Sequence, residues 1–186
     1  AGARILVPRT IQVPNPVPDT YNIVGYREID GALGLERKFR FSELDGFHIY
    51  AAQFIKLQFD DPFSYNLDAP PDGFERVLIP YLDTILALDI RKDSEGKPTG
   101  NDAHRGFYLG LNFQYAGLGG DAEDVKLRPE IRGYVPLLDN VVFALRWGTG
   151  FLFPMNYGGT LAATDAAGAA SARDQQLLSF RALYSG

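Results

Sequence analysis

The sequence predicts an all-β fold: an antiparallel transmembrane β-barrel wall of about seven meander strands. Three observations predict it. Apolar and polar residues alternate over long stretches, which marks strands with one greasy face. No stretch of comparable length carries the 3.6-residue period of an amphipathic helix. The greasy rows are long and aromatic, and they are opposed by small residues such as Gly110, Ala144, Gly148 and Gly150, which suit a curved inner wall. A soluble β-sandwich also alternates, with its apolar face inward, and stays the competing architecture on pattern alone.

The elements follow in order. A first strand is expected from about Arg4 to Val13, confined by Pro8 to an edge or bulge. Ile29, Gly31, Leu33, Leu35 and Phe39 then alternate with Asp30, Ala32, Gly34, Glu36 and Lys38. Phe47 to Phe59 repeats the pattern, with His48, Tyr50, Lys56 and Gln58 on the polar side. Leu82, Leu86, Leu88 and Ile90 make a fourth greasy row. The cleanest is Phe107 to Tyr115, with Phe107, Leu109, Leu111, Phe113 and Tyr115 against Tyr108, Gly110, Asn112 and Gln114. Val125 to Val135 sets Lys126, Arg128, Glu130, Arg132 and Tyr134 on its polar side. The last strand is expected to run unbroken from Val141 to Phe153, with Val141, Phe143, Leu145, Trp147, Phe151 and Phe153 on one side. Short turns are expected at 41–46 and 136–140, and longer links at 60–78, 91–106 and 154–176. The last link holds the low-complexity segment Leu161 to Ala172, expected to be mobile.

Composition narrows the function. The 186 residues carry a formal charge of -5 and contain no Cys and 2 His. With a pI near 5.0, nucleic-acid binding by whole-domain charge is excluded. A disulfide framework and any Cys-ligated metal are excluded as well. His48 and His104 have no second His at a ligand spacing, and no cofactor or metal is expected. The loop carboxylates Asp60-Asp61 and Asp121 with Glu123-Asp124, and the strand pair Asp83 with Asp89, read as solvating groups rather than an acid/base pair. Ser42, Ser64 and Ser179 lack a nucleophile elbow, and no helix follows Gly117-Leu-Gly-Gly120 to make a phosphate cradle. The expectation is a protein that is not an enzyme. The mean hydropathy of -0.12 comes with no 18-residue apolar run, which excludes helical membrane spans but not strands. Ala1 to Pro8 has no h-region, so no signal peptide is expected there.

Thr84-Ile-Leu-Ala-Leu-Asp-Ile-Arg-Lys-Asp, followed by Asn101-Asp-Ala-His-Arg-Gly-Phe-Tyr-Leu-Gly-Leu, resembles the BamA/TamA superfamily of outer-membrane assembly barrels. Leu127-Arg-Pro-Glu-Ile-Arg-Gly-Tyr-Val-Pro-Leu and Asn140-Val-Val-Phe-Ala-Leu-Arg-Trp-Gly-Thr-Gly are similar to the family's next hairpin. Leu178-Ser-Phe-Arg-Ala-Leu-Tyr-Ser-Gly186 is similar to the segment entering its long lid loop, which folds into the barrel lumen. The resemblance covers residues 29–186 and is strongest over 79–186. It implies that residues 1–186 are a partial domain of a sixteen-strand type barrel in a bacterial or organellar outer membrane. The chain would lack POTRA modules and the first and last barrel strands, and would stop just before the lid loop's Arg-Gly-Tyr/Phe motif. Ile131-Arg-Gly-Tyr134 matches that motif as a string, but its place in a strand argues against that role.

The implied function is insertion of barrel proteins into the outer membrane or translocation of polypeptide across it. The implied partners are outer-membrane lipid, substrate polypeptides or nascent barrel proteins, and the remainder of the barrel. Lys126, Arg128, Glu130, Arg132 and Arg146 are then expected to face the lumen, holding a lid or touching passing polypeptide. Their bland alternative is a solvated face whose charges pair across strands, Glu130 with Arg146 included. Phe107, Leu109, Leu111, Phe113, Val141, Phe143, Leu145, Trp147 and Phe151 are expected to face lipid. Arg in place of Leu111 or Leu145 should then cost far more than Arg at Gln114. The alternatives are a solute channel or porin-like barrel, and a soluble β-sandwich binding module.

Overall fold

The computed structural model describes residues 11–14, 21–41, 47–64, 74–99, 101–159 and 172–182. Its strands are β1 (Ile11–Pro14), β2 (Tyr21–Phe41), β3 (Phe47–Ser64), β4 (Val77–Asp89), β5 (Gly106–Ala116), β6 (Asp124–Leu138), β7 (Val141–Gly148) and β8 (Phe151–Pro154). One helix, α1 (Ala172–Arg181), follows. The sheet is an antiparallel meander in the order β1 to β7, and β8 pairs with β6 beyond the end of β7. The fold is therefore all-β with consecutive strands paired, as the alternation predicts. No helix among the described residues is long and apolar enough to cross a membrane.

The register turns the alternation of each strand into two continuous surfaces. Phe39, Ile49, Leu88, Leu109, Ile131 and Trp147 are successive cross-strand partners from β2 to β7. One residue along, Arg40, His48, Asp89, Tyr108, Arg132 and Arg146 make the parallel row on the opposite face. Because strand side chains alternate with period two, a slip of one residue would exchange these rows, so the pattern fixes the register.

Several boundaries differ from expectation. The strand read from Ile29 begins at Tyr21, and the one read from Leu82 begins at Val77. Pro80 lies inside β4, and because β5 ends at Ala116 opposite Tyr81, Pro80 is paired on the β3 side alone. A one-sided position tolerates proline. The strand expected from 141 to 153 is broken into β7 and β8. The break lies opposite Pro129, which has no N–H for the ladder and instead accepts a hydrogen bond from the Thr149 N–H at 3.2 Å. Residues 4–10 of the expected first strand, the turn at 42–46 and most of the low-complexity segment lie outside the described residues.

The link 91–106 is held closed by its backbone. Its bonds include Lys92 N–H to Arg105 O at 2.8 Å, His104 N–H to Lys92 O at 2.7 Å and Asp93 N–H to Lys97 O at 2.9 Å. Gly106 opens β5 at φ 103, and a Cβ there would collide with the Ile90 carbonyl. Only glycine takes that conformation without strain.

Candidate functional site

The largest departure from expectation is α1, a helix that spans the end of the expected 154–176 link and the start of the segment that resembles the entry to the lid loop. It seats on the polar face of the sheet and makes the molecule's buried cluster there: Val77, Ile79, Ala116, Ala122, Tyr157 and Leu177. Asp174 stands in its first turn and Arg181 in its last, each placed favourably for the helix dipole. At ten residues it is too short to persist alone, so its stability comes from the seat.

The buried stripe of α1 is Asp174, Leu177 and Arg181, with Gln176 beside it. The Arg181 guanidinium donates to both oxygens of Asp124 at 2.8 and 2.7 Å, a bidentate pair. The two side chains are 3% and 0% exposed. The Tyr157 hydroxyl donates to the same carboxylate at 2.9 Å. Burial pushes the Tyr157 phenol up, and the charge and hydrogen bond of Asp124 act in the same direction. Burial opposes the Arg181 charge, but its hydrogen bonds and charge interaction with Asp124 outweigh that and hold the group above its usual range. The guanidinium also lies 4.9 Å from the centre of the Tyr81 ring.

Two further contacts fix the helix. The Gln176 side chain accepts from the Glu75 N–H at 3.2 Å and donates to the Glu75 carbonyl, pairing with both backbone polar groups of that residue. The Phe180 ring meets Tyr26 edge to face, with centroids 4.7 Å apart. Past the helix end, Lys126 Nζ donates to the Ala182 carbonyl at 3.3 Å. Asp124, Tyr157, Gln176 and Arg181 thus form the site that sequence reasoning missed. Asp124 was read as a solvating loop acid, although it opens β6 on the same face as Lys126.

The charged row divides. Lys126 is 4% exposed beneath the helix end. Glu130 receives Arg132 at 2.7 and 3.1 Å and Arg146 at 2.5 Å. Arg132 and Arg146 are direct cross-strand partners, so Glu130 offsets a repulsion between like charges. Arg128 lies on the same face, exposed and without an ion pair among the described residues. Tyr108 stands between the Arg91 and Arg132 guanidinium groups, 5.1 and 5.0 Å from its ring centre. No cluster of metal-ligating side chains occurs among the described residues.

The other face is apolar and open. Phe107, Leu109, Leu111, Val141, Phe143, Leu145, Trp147 and Phe151 are exposed, and Phe113 is half-buried. Ile29, Leu33, Leu35, Ile55 and Leu57 extend the same surface across β2 and β3. So large a contiguous apolar surface is foreign to a soluble monomer. Arg27 and Arg37 stand on this face of β2, each stacked on a ring, Phe63 and Phe39 respectively, and Phe39 continues the apolar row beyond Arg37.

Residues 50–167, more than half of the chain, match the Omp85 superfamily domain. No curated protein and no solved structure matches.

Proposed function

The chain belongs to the Omp85 superfamily, a family of outer-membrane β-barrel proteins, and from that premise we propose that it is part of a BamA/TamA-type barrel that inserts barrel proteins into the outer membrane or moves polypeptide across it. Family members are assembly and translocation proteins rather than enzymes. In this reading residues 1–186 are one stretch of the wall, and further strands complete the barrel. The apolar face meets lipid, and the polar face with Lys126, Arg128, Glu130, Arg132 and Arg146 lines the lumen. α1 is then part of a lid held inside.

The observation that carries the reading is the opposition of the two faces: a helix seated on the polar one and nothing covering the apolar one among the described residues. The dimensions support it. From Ile29 to Phe39 the apolar row of β2 rises about 33 Å, which at a tilt of about 40° is about 25 Å, the thickness of an outer-membrane belt, with Arg37 near one end of it. A soluble sandwich would need a second layer over Leu33 and Leu35, which are 79% and 84% exposed.

The test is reconstitution of the whole protein in lipid vesicles with an unfolded barrel client. We expect the client to fold several-fold faster than in empty vesicles, and an unchanged rate overturns the proposal. Conductance selective for a small solute, without any effect on client folding, would instead favour the channel reading.

A further inference from the structure

A cavity of about 460 Å³ opens on the polar face at the break in the last strand, lined by Ile85, Asn112, Arg128, Glu130, Arg146 and Gly148 among others. Its origin is local. Pro129 cannot extend the ladder, β7 stops at Gly148, and β8 resumes only at Phe151. Gly148 and Gly150 supply no side chain, so among the described residues one flank of Arg128 is left open. The charge is unbalanced: Arg128 and Arg146 line the cavity with a single carboxylate, Glu130, which also holds Arg132. Glu130 is occupied by Arg132 and Arg146, and Arg128 makes no ion pair among the described residues.

We propose that this groove binds carboxylate side chains of an acidic polypeptide stretch, with Arg128 and Arg146 as its charged rim. The chemistry selects such a partner. A guanidinium fork fits a carboxylate bidentately. The apolar Ile85 wall suits the methylene stem of a glutamate and has nothing to offer an inorganic anion. A basic stretch would meet the surplus positive charge. The groove lies apart from the Asp124–Arg181 seat, so α1 need not leave for it to be occupied. The inference rests on the reading of the polar face as the inner wall of a polypeptide-handling barrel.

The test is fluorescence polarisation with the whole protein in detergent micelles and a labelled oligoglutamate peptide. Binding is expected, weakening as salt rises. R128Q and R146Q should each reduce affinity about three- to tenfold. R128K, which keeps the charge without the fork, should fall between R128Q and the native protein. K97Q, in the link 91–106, should bind as the native protein does. Each variant is first required to show a heat-modifiable band, and R128K carries the test if R128Q does not fold. Unchanged affinity in the folded Arg128 variant overturns the site. Displacement by inorganic phosphate as effective as by unlabelled peptide, carboxylate for phosphate, overturns the polypeptide assignment. A protein that accelerates client folding but ignores oligoglutamate overturns the groove and leaves the broader function standing, whereas loss of both overturns the function.

Discussion

Asp124 is where the helix seat is most sensitive, because one buried carboxylate serves Arg181 and Tyr157 together. A buried pair is costly to break from one side, since the survivor is left as an unpaired charge away from water. Asp124→Ala should therefore weaken the seating of α1 by about 3–5 kcal/mol, read as faster hydrogen exchange at the amides of 174–181. Replacing both partners, with Asp124→Leu and Arg181→Met together, should cost clearly less than the two single changes summed. Additive costs would show that the pair is not coupled. Tyr157 adds a pH dependence whose sign follows from its raised value. The seated state holds the phenolic proton more tightly, so the Tyr157 contribution is complete below about pH 10, its ordinary value, and is lost as pH rises beyond it. Tyr157→Phe should abolish that alkaline loosening of α1, and an unaltered profile in the variant would assign it elsewhere.

At the scale of elements, the strands were legible and the helix was not, for a single reason. Hydropathy periodicity detects a face that is buried because it is greasy. β5 satisfies that rule, with Phe107, Leu109, Leu111 and Phe113 at every second position. α1 buries Gln176 and Arg181 beside Leu177, because the surface beneath it meets both with a partner, Glu75 and Asp124. Its sequence, Ala-Arg-Asp-Gln-Gln-Leu-Leu-Ser-Phe-Arg, offers only Leu177, Leu178 and Phe180 to an apolar stripe. The missing signal was thus the other half of each pair, which lies far away in sequence at Glu75 and Asp124. The break in the last strand was hidden similarly, since its cause is Pro129 on the neighbouring strand. Gly106 was an exception in kind: it lay inside a quoted motif, but its positive φ is a property of the turn. Gly106→Ala should destabilise the β4–β5 hairpin by about 1–3 kcal/mol, because the added Cβ meets the Ile90 carbonyl in a backbone conformation L-residues avoid. Equal denaturation midpoints for the variant and the native protein would refute this strain.

The whole molecule is organised by its two faces, and substitutions can test the assignment of the apolar one to lipid. Leu145→Arg should cost about 2–4 kcal/mol in a bilayer if that position lies near the midplane. Gln114, the obvious polar comparator from sequence, is a poor one: it is 9% exposed and its amide lies 3.5 Å from Asp83, so a larger side chain would be crowded there. Ala144, the exposed neighbour of Leu145 on the other face, is the better control, and Arg there should be tolerated. Trp147 allows a direct measurement, because it is the single Trp of the chain and its side chain is 56% exposed on the apolar face. Its register partner is Ile131, within the row that crosses the sheet to Phe39. In vesicles its emission should be shifted to the blue and quenched by lipids brominated on their acyl chains, and iodide in the water should scarcely reach it. In urea the order should reverse. If iodide quenches Trp147 as strongly in vesicles as in urea, the surface meets water, and the assignment of the apolar face to the bilayer fails with it.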